Sequence, residues 1–128
     1  MKRPVVTLAV YDKDKDYWLG LSVSVKKILG PMELAKEADI LHNRITRKID
    51  LFLIDPTNVA DLASLSSAIK LFHPESKIIV MSYSPTWKQA REAFYCGAVD
   101  YIKISTDHTE MIQMLIAGLK KGNSHKIR

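Results

Sequence analysis

Cysteine is nearly absent: Cys96 is the single one among 128 residues. That excludes a disulfide framework and a cysteine-rich zinc site, and it fits a reducing compartment, so the cytoplasm is the expected location. Long hydrophobic runs are missing too. None approaches the roughly 18 residues of a membrane helix, and no membrane partner is expected. The apolar residues 5–10, preceded by Lys2 and Arg3, are too few for a secretory core and lead into Asp12-Lys13-Asp14-Lys15-Asp16. Glycine is scarce, at positions 20, 30, 97, 118 and 122 only. There is therefore no Gly-x-Gly-x-x-Gly and no P-loop. His42, His73, His108 and His125 have no metal-ligand spacing and are expected at the surface. No nucleophile elbow is present, and Cys96 lies on an apolar helical stripe, as a core or groove residue does. Acidic residues are outnumbered 14 to 19, a net charge of +5. Four of those 19 basic side chains (Lys120, Lys121, Lys126, Arg128) sit in residues 120–128, so the body carries 15 against 14. A short basic tail or linker, rather than a nucleic-acid face, accounts for the charge.

What is present is a chain 47% hydrophobic and 26% charged, which makes one folded domain. Four apolar runs of four to six residues, 5–10, 51–54, 78–81 and 99–104, read as strands. The first three are nearly continuous, as in strands covered on both faces. Residues 32–38 make a weaker fifth strand nearer an edge. Helical stripes lie between them: Trp18, Leu21, Val25, Ile28 and Leu29 in 15–29, ended by Gly30-Pro31; Ile40, Leu41 and Ile45 in 39–48, with Asp39 as N-cap. Leu62, Leu65, Ala68, Ile69 and Phe72 mark 60–72. Trp87, Ala90, Ala93, Phe94 and Cys96 mark 86–96, with Gly97 just past the end. Met111, Met114, Leu115, Gly118 and Leu119 mark 107–120, where Asp107 and Glu110 have capping-box spacing. Strict β-α alternation predicts an α/β fold: one five-stranded parallel sheet, doubly wound, with right-handed crossovers.

In such sheets ligands bind at the carboxyl ends of the strands. Asp12 follows the first strand, Asp55 the third and Ser82 the fourth, while Lys103-Ile104 ends the fifth. A lone Asp there is usually a turn residue, and a lone Ser usually nothing. Converging, two carboxylates make a hard-oxygen site for Mg²⁺. A carboxylate beside the ion attacks phosphorus, and a hydroxyl and an ammonium stabilise the phosphoryl oxygens.

The stretches Ile49-Asp50-Leu51-Phe52-Leu53-Ile54-Asp55, Ser76-Lys77-Ile78-Ile79-Val80-Met81-Ser82 and Ala93-Phe94-Tyr95-Cys96-Gly97-Ala98-Val99-Asp100-Tyr101 resemble the receiver domains of two-component response regulators. The resemblance covers residues 4–121 and leaves 122–128 as tail or linker stump. It implies the flavodoxin-like strand order 2-1-3-4-5, with Asp55 as phospho-acceptor, Asp12 as Mg²⁺ ligand and Thr57 giving the metal a backbone carbonyl. Ser82 becomes the switch hydroxyl and Tyr101 the switch aromatic. It also implies a sensor histidine kinase or other signalling protein as partner, a homodimer through residues 86–121, and DNA contact only through an output domain beyond this chain.

The sequence departs from that pattern at several points. Tyr11 stands where the family has a second acid. Anchored on Gly97 and Tyr101, the family lysine falls on Ile104, so Lys103 reaches the site only through a bulge. The proline after the lysine is missing. Tyr83 replaces a small residue after the hydroxyl and crowds phosphoryl access. The loop 56–61 is shorter and lacks Met-Pro and Gly. The expectation is an atypical receiver with weak or absent Mg²⁺-dependent phosphorylation, acting through protein contact; a phosphorylation-independent pseudo-receiver is the alternative. A small enzyme of similar fold ranks lower. The acidic loop 12–16 opposes flavin phosphate, and Thr57 stands where a hydrolase needs a second acid.

Overall fold

A computed structural model of the chain describes residues 3–121, so the tail 122–128 lies outside the described residues. The elements are β1 (Thr7–Val10), α1 (Lys15–Ile28), β2 (Met32–Ala35), α2 (Glu37–Leu41) and β3 (Leu51–Ile54). A 3-10 turn (Pro56–Asn58) follows, then α3 (Leu62–Phe72), β4 (Lys77–Ser82), α4 (Trp87–Tyr95), β5 (Asp100–Lys103) and α5 (His108–Leu119). All five strands are parallel, in the order β2-β1-β3-β4-β5. The register places Ile54 beside Val10 and Val80, and Ser82 beside Lys103, so these strand ends share one edge.

Period-2 alternation splits the strand side chains between two cores. Leu8, Val10, Phe52, Ile54, Ile78 and Val80 pack with Ile40 of α2, Leu62, Leu65 and Ile69 of α3, and Ala93 of α4. Ala9, Leu51, Leu53, Ile79 and Met81 face Trp18, Leu21 and Val25 of α1 and Met111, Ile112 and Leu115 of α5. The starts of α3, α4 and α5 are capped by side chains that compete poorly for helix interiors and well for free amides. Asp61 Oδ1 accepts from Ala63 N at 3.1 Å, Thr86 Oγ1 from Gln89 N at 3.0 Å, and Asp107 Oδ1 from Thr109 N at 2.9 Å. At the end of α4, Ala98 N donates to Ala93 O and Gly97 N to Phe94 O, a complete Schellman motif. Gly97 has φ +97°, and a Cβ there would collide with the Lys70 side chain.

Several expectations need correction. Helix α2 spans five residues, not 39–48. Asp39 is not its N-cap; its Oδ2 accepts from Lys36 N at 3.3 Å, and Asn43 at φ 54° turns the chain out. Ile45 is buried from the irregular segment that follows. On α1, Ile28 is exposed because a 14-residue helix, about 21 Å long, overruns four-residue strands of about 13 Å. On α4, Trp87 and Phe94 are exposed and only Ala93 is buried. The 107/110 capping box forms in its forward half only, since Asp107 N donates to Ser105 Oγ at 3.0 Å. Two histidines are half-buried rather than superficial. His73 lies against Phe52 with ring centroids 5.2 Å apart, and His108 Nδ1 is 3.1 Å from Ser24 Oγ.

Candidate functional site

Asp55 leaves the end of β3 with its side chain 3% exposed. Its Oδ1 accepts from Thr57 N at 2.9 Å and from Thr57 Oγ1 at 2.8 Å. This is an Asx-type cap on the turn Pro56–Asn58, where proline pre-sets the first residue. The carboxylate is thus buried and held by two donors from one residue.

Asp12 is exposed past β1, and it shares with Thr57 the wall of an open cavity of about 450 Å³, together with Tyr11, Lys36 and Glu37. Glu37 Oε1 accepts from Ala60 N at 2.9 Å and ties α2 to the loop after Asp55. Over the Tyr11 ring stand two ammoniums, Lys36 Nζ at 5.5 Å and Lys15 Nζ at 5.9 Å from the centroid. Position 11 therefore gathers positive charge at a place where an acid would gather a cation.

Ser82 is 3% exposed, and its Oγ accepts from Ser84 N at 3.1 Å. Tyr83, half-exposed, lies edge-on to Tyr17 with centroids 6.1 Å apart. Partial burial, then the charges of Asp14 and Asp55, push the Tyr83 phenol above its ordinary value. Tyr101 is tied to α4: its hydroxyl donates to Gln89 Oε1 at 2.7 Å and accepts from Thr86 N at 3.2 Å. Ile104 is 4% exposed, packed in the core between the sheet and helices α1 and α5, and its N–H extends the ladder to Ser82 O at 2.9 Å. Lys103 is exposed, and among the described residues there is no Lys103–Asp55 ion pair.

Asp12, Asp55, Thr57 and Ser82 therefore lie along the carboxyl edge, while Lys103 makes no bond to Asp55. Their oxygen donors are of the type Mg²⁺ takes, one or two carboxylates with a carbonyl and water. The set is thin, however: among the described residues no three His, Cys, Asp or Glu side chains group to hold a metal. Reading the sequence overlooked Lys36, Gln89, Tyr17 and Ser105. Only Gln89 left a local trace, three residues past the Thr86 cap; the rest meet the site through pairings distant in sequence.

No family model and no curated protein matches the sequence. Solved structures do match. A response regulator from Thermotoga maritima superposes with a TM-score of 0.76 at 21% identity, over 91% of this chain and 99% of its own. A chemotaxis response regulator of Vibrio cholerae gives 0.77 at 13%, over 91% and 99%. A response regulator from Burkholderia pseudomallei, carrying a phosphorylated aspartic acid, a calcium ion and citrate, gives 0.74 at 15%, over 91% and 66%. The chain has the fold of response regulator receiver domains, and no described helix is long and apolar enough to cross a membrane.

Proposed function

We propose that this chain is an atypical receiver of two-component signalling that works by protein contact and takes a phosphoryl group at Asp55 weakly or not at all. One observation carries the reading: Asp55 is buried and bonded to Thr57, while Ile104, where the spacing from Gly97 and Tyr101 puts the ammonium a phosphoryl group needs, is apolar and buried. A charge partner at roughly 4 Å is worth about 4 kcal/mol at an effective dielectric near 20. Ser82 offers one hydrogen bond, about 1.5–3 kcal/mol to a charged partner. Asp12, Asp55 and the Thr57 carbonyl are the residues that would hold Mg²⁺, which when bound supplies charge neutralisation at the phosphoryl oxygens. The ammoniums of Lys15 and Lys36 over the ring of Tyr11, the neighbour of Asp12 in sequence, weaken that binding.

The contact surface is the 86–121 face. Helix α4 leaves Trp87 77% and Tyr95 92% exposed, and large aromatics there suit a partner's apolar pocket. The partner in this reading is a histidine kinase or another signalling protein, with a second copy of the chain as one variant; DNA enters only through a separate output domain. An enzyme reading is disfavoured by Thr57, which cannot protonate a leaving group. The test is incubation with a small phosphodonor and Mg²⁺, read by intact mass and by size in solution, for the natural chain and Asp55→Asn. Little phosphate and equal partner binding by both are expected. Stoichiometric phosphorylation with a change in oligomeric state, lost in Asp55→Asn, would overturn the reading.

A further inference from the structure

Three strand ends meet around the cavity of about 450 Å³ beside Asp12, and the Asp55 carboxylate is not in its wall. Tyr11 and Asp12 come from the end of β1, Lys36 and Glu37 from the end of β2, and Val59 and Ala60 from the loop after β3. In the order β2-β1-β3 this is the crevice where successive connections leave β1 on opposite sides, the place open α/β sheets offer to ligands. Its volume lies in the range of small-molecule sites, roughly 300–1,000 Å³. Two ammoniums reach its one aromatic ring, Lys36 Nζ at 5.5 Å and Lys15 Nζ at 5.9 Å from the Tyr11 centroid. Among the described residues neither lysine has an ion pair, whereas Arg3, Arg44 and Arg47 pair with Asp50, Asp39 and Glu33. Glu37, in the same wall, gives Oε1 to the Ala60 amide. The Tyr11 ring and Val59 are half-buried and packed against the two cores, so the wall behind the charge is apolar and fixed. An unpaired ammonium beside an apolar wall is the make-up of a site that holds a small molecule by one charged end.

We propose that this cavity binds a small carboxylic acid with an apolar or aromatic body. Lys36, seconded by Lys15, takes the carboxylate, and the Tyr11 ring, Val59 and Ala60 take the body. Asp12 and Glu37 decide the charge of the ligand. Their carboxylates oppose the two ammoniums and leave no surplus for a phosphate dianion, so a single negative charge fits. Thr57 lines the cavity and also holds Asp55 through its amide and hydroxyl, so an occupant meets the residue that positions that carboxylate. A ligand here gives the domain an input that needs no phosphoryl group. That consequence rests on the reading of Asp55 as a weak acceptor; the binding itself does not.

The test titrates the full chain with benzoate, in the presence of a chelator so that no metal takes part, and follows the backbone amide signals by NMR. Saturable shifts are expected at residues 36–38 and 57–60, with a Kd of about 1 mM, ordinary for a ligand of this size. Benzamide has the same shape without the charge. It should bind at least about tenfold more weakly, the loss of one charge-assisted hydrogen bond. Acetate, the charge without the body, should also bind more weakly. Lys36→Gln should lose about tenfold for benzoate and nothing for benzamide, and Lys36→Arg should keep the benzoate affinity. Should Lys36→Gln fail to fold, the comparison of benzoate with benzamide on the natural chain decides the matter. Benzamide bound as tightly as benzoate would overturn the site, as would a folded Lys36→Gln with unchanged benzoate affinity. Shifts that do not saturate, or that lie elsewhere, would overturn it too. Phenyl phosphate bound more tightly than benzoate would overturn the carboxylate assignment. Saturable benzoate shifts with fast phosphodonor labelling would uphold the site and refute the weak-acceptor reading; slow labelling without benzoate shifts would do the reverse.

Discussion

Returning a lysine and a second acid to the site should convert a weak phospho-acceptor into a competent one. The perturbation is Ile104→Lys with Tyr11→Asp. Ile104 is 4% exposed among Met81, Met111 and their neighbours, so the lysine loses part of its predecessor's burial. Full burial of an isoleucine is worth about 1.5–3 kcal/mol, and the lysine stem retains some of that contact. The net cost is about 1–2 kcal/mol, which lowers the melting temperature of a domain this size by about 4–7 °C. Against that, an ammonium within roughly 4 Å of the phosphoryl oxygens gains about 4 kcal/mol at an effective dielectric near 20, partly offset by its own desolvation. If about 1.4 kcal/mol survives in the transition state, the rate rises about tenfold. Tyr11→Asp adds a carboxylate beside Asp12 and removes the ring beneath Lys15 and Lys36. The assay is the rate of phosphate incorporation from a small donor with Mg²⁺, by intact mass, alongside thermal melting. The double variant should label at least about tenfold faster than the natural chain, and Asp55→Asn in that background should label not at all. Equal rates in the natural chain and a folded double variant would refute the assignment of Ile104 and Tyr11 as the residues that limit phosphorylation.

Tyr101→Phe removes two hydrogen bonds to the start of α4, about 1–2 kcal/mol together, and α4 buries only Ala93. Amide exchange in residues 86–95 should therefore speed up while exchange in the sheet stays the same. Lys36→Glu takes an ammonium from the Tyr11 ring, 5.5 Å away, and adds a carboxylate to the cavity beside Asp12. Mg²⁺ affinity, read by isothermal titration calorimetry, should tighten by about tenfold, the effect of about 1.4 kcal/mol. The Asp50 carboxylate sits below its ordinary range, chiefly through the side-chain bond from Arg3 and then the Val6 amide at 2.8 Å. Its contribution to stability is complete above the unfolded value near about pH 4 and is lost as pH falls through the lower folded value. Asp50→Asn should flatten the acid limb of melting temperature against pH, and an unchanged limb would remove Asp50 from the account.

The sequence by itself determined the sheet. Runs such as Leu51-Phe52-Leu53-Ile54 are strands because they are short, apolar and bounded by polar turns. Period-2 alternation then decides that Ile104, and not Lys103, turns into the core behind β5. Local chemistry likewise announced Gly97 after α4 and Asp107 before α5. Position at strand ends placed Asp12, Asp55 and Ser82 on one edge, since a parallel sheet brings those ends together whatever lies between them. Only the tertiary structure decided the rest. A helical stripe says which residues align, not whether a neighbour covers them, so Trp87 and Ile28 read as core and stand exposed. The length of α2 depended on Asn43 and on the docking of Ile45, and not on periodicity. The contacts around the loops at the carboxyl ends of the strands come from pairings far apart along the chain: Tyr17 with Ser105, Tyr83 with Tyr17, Lys36 over Tyr11. Such pairings leave no local signature, because the distances that matter exist only after the strands have closed into a sheet.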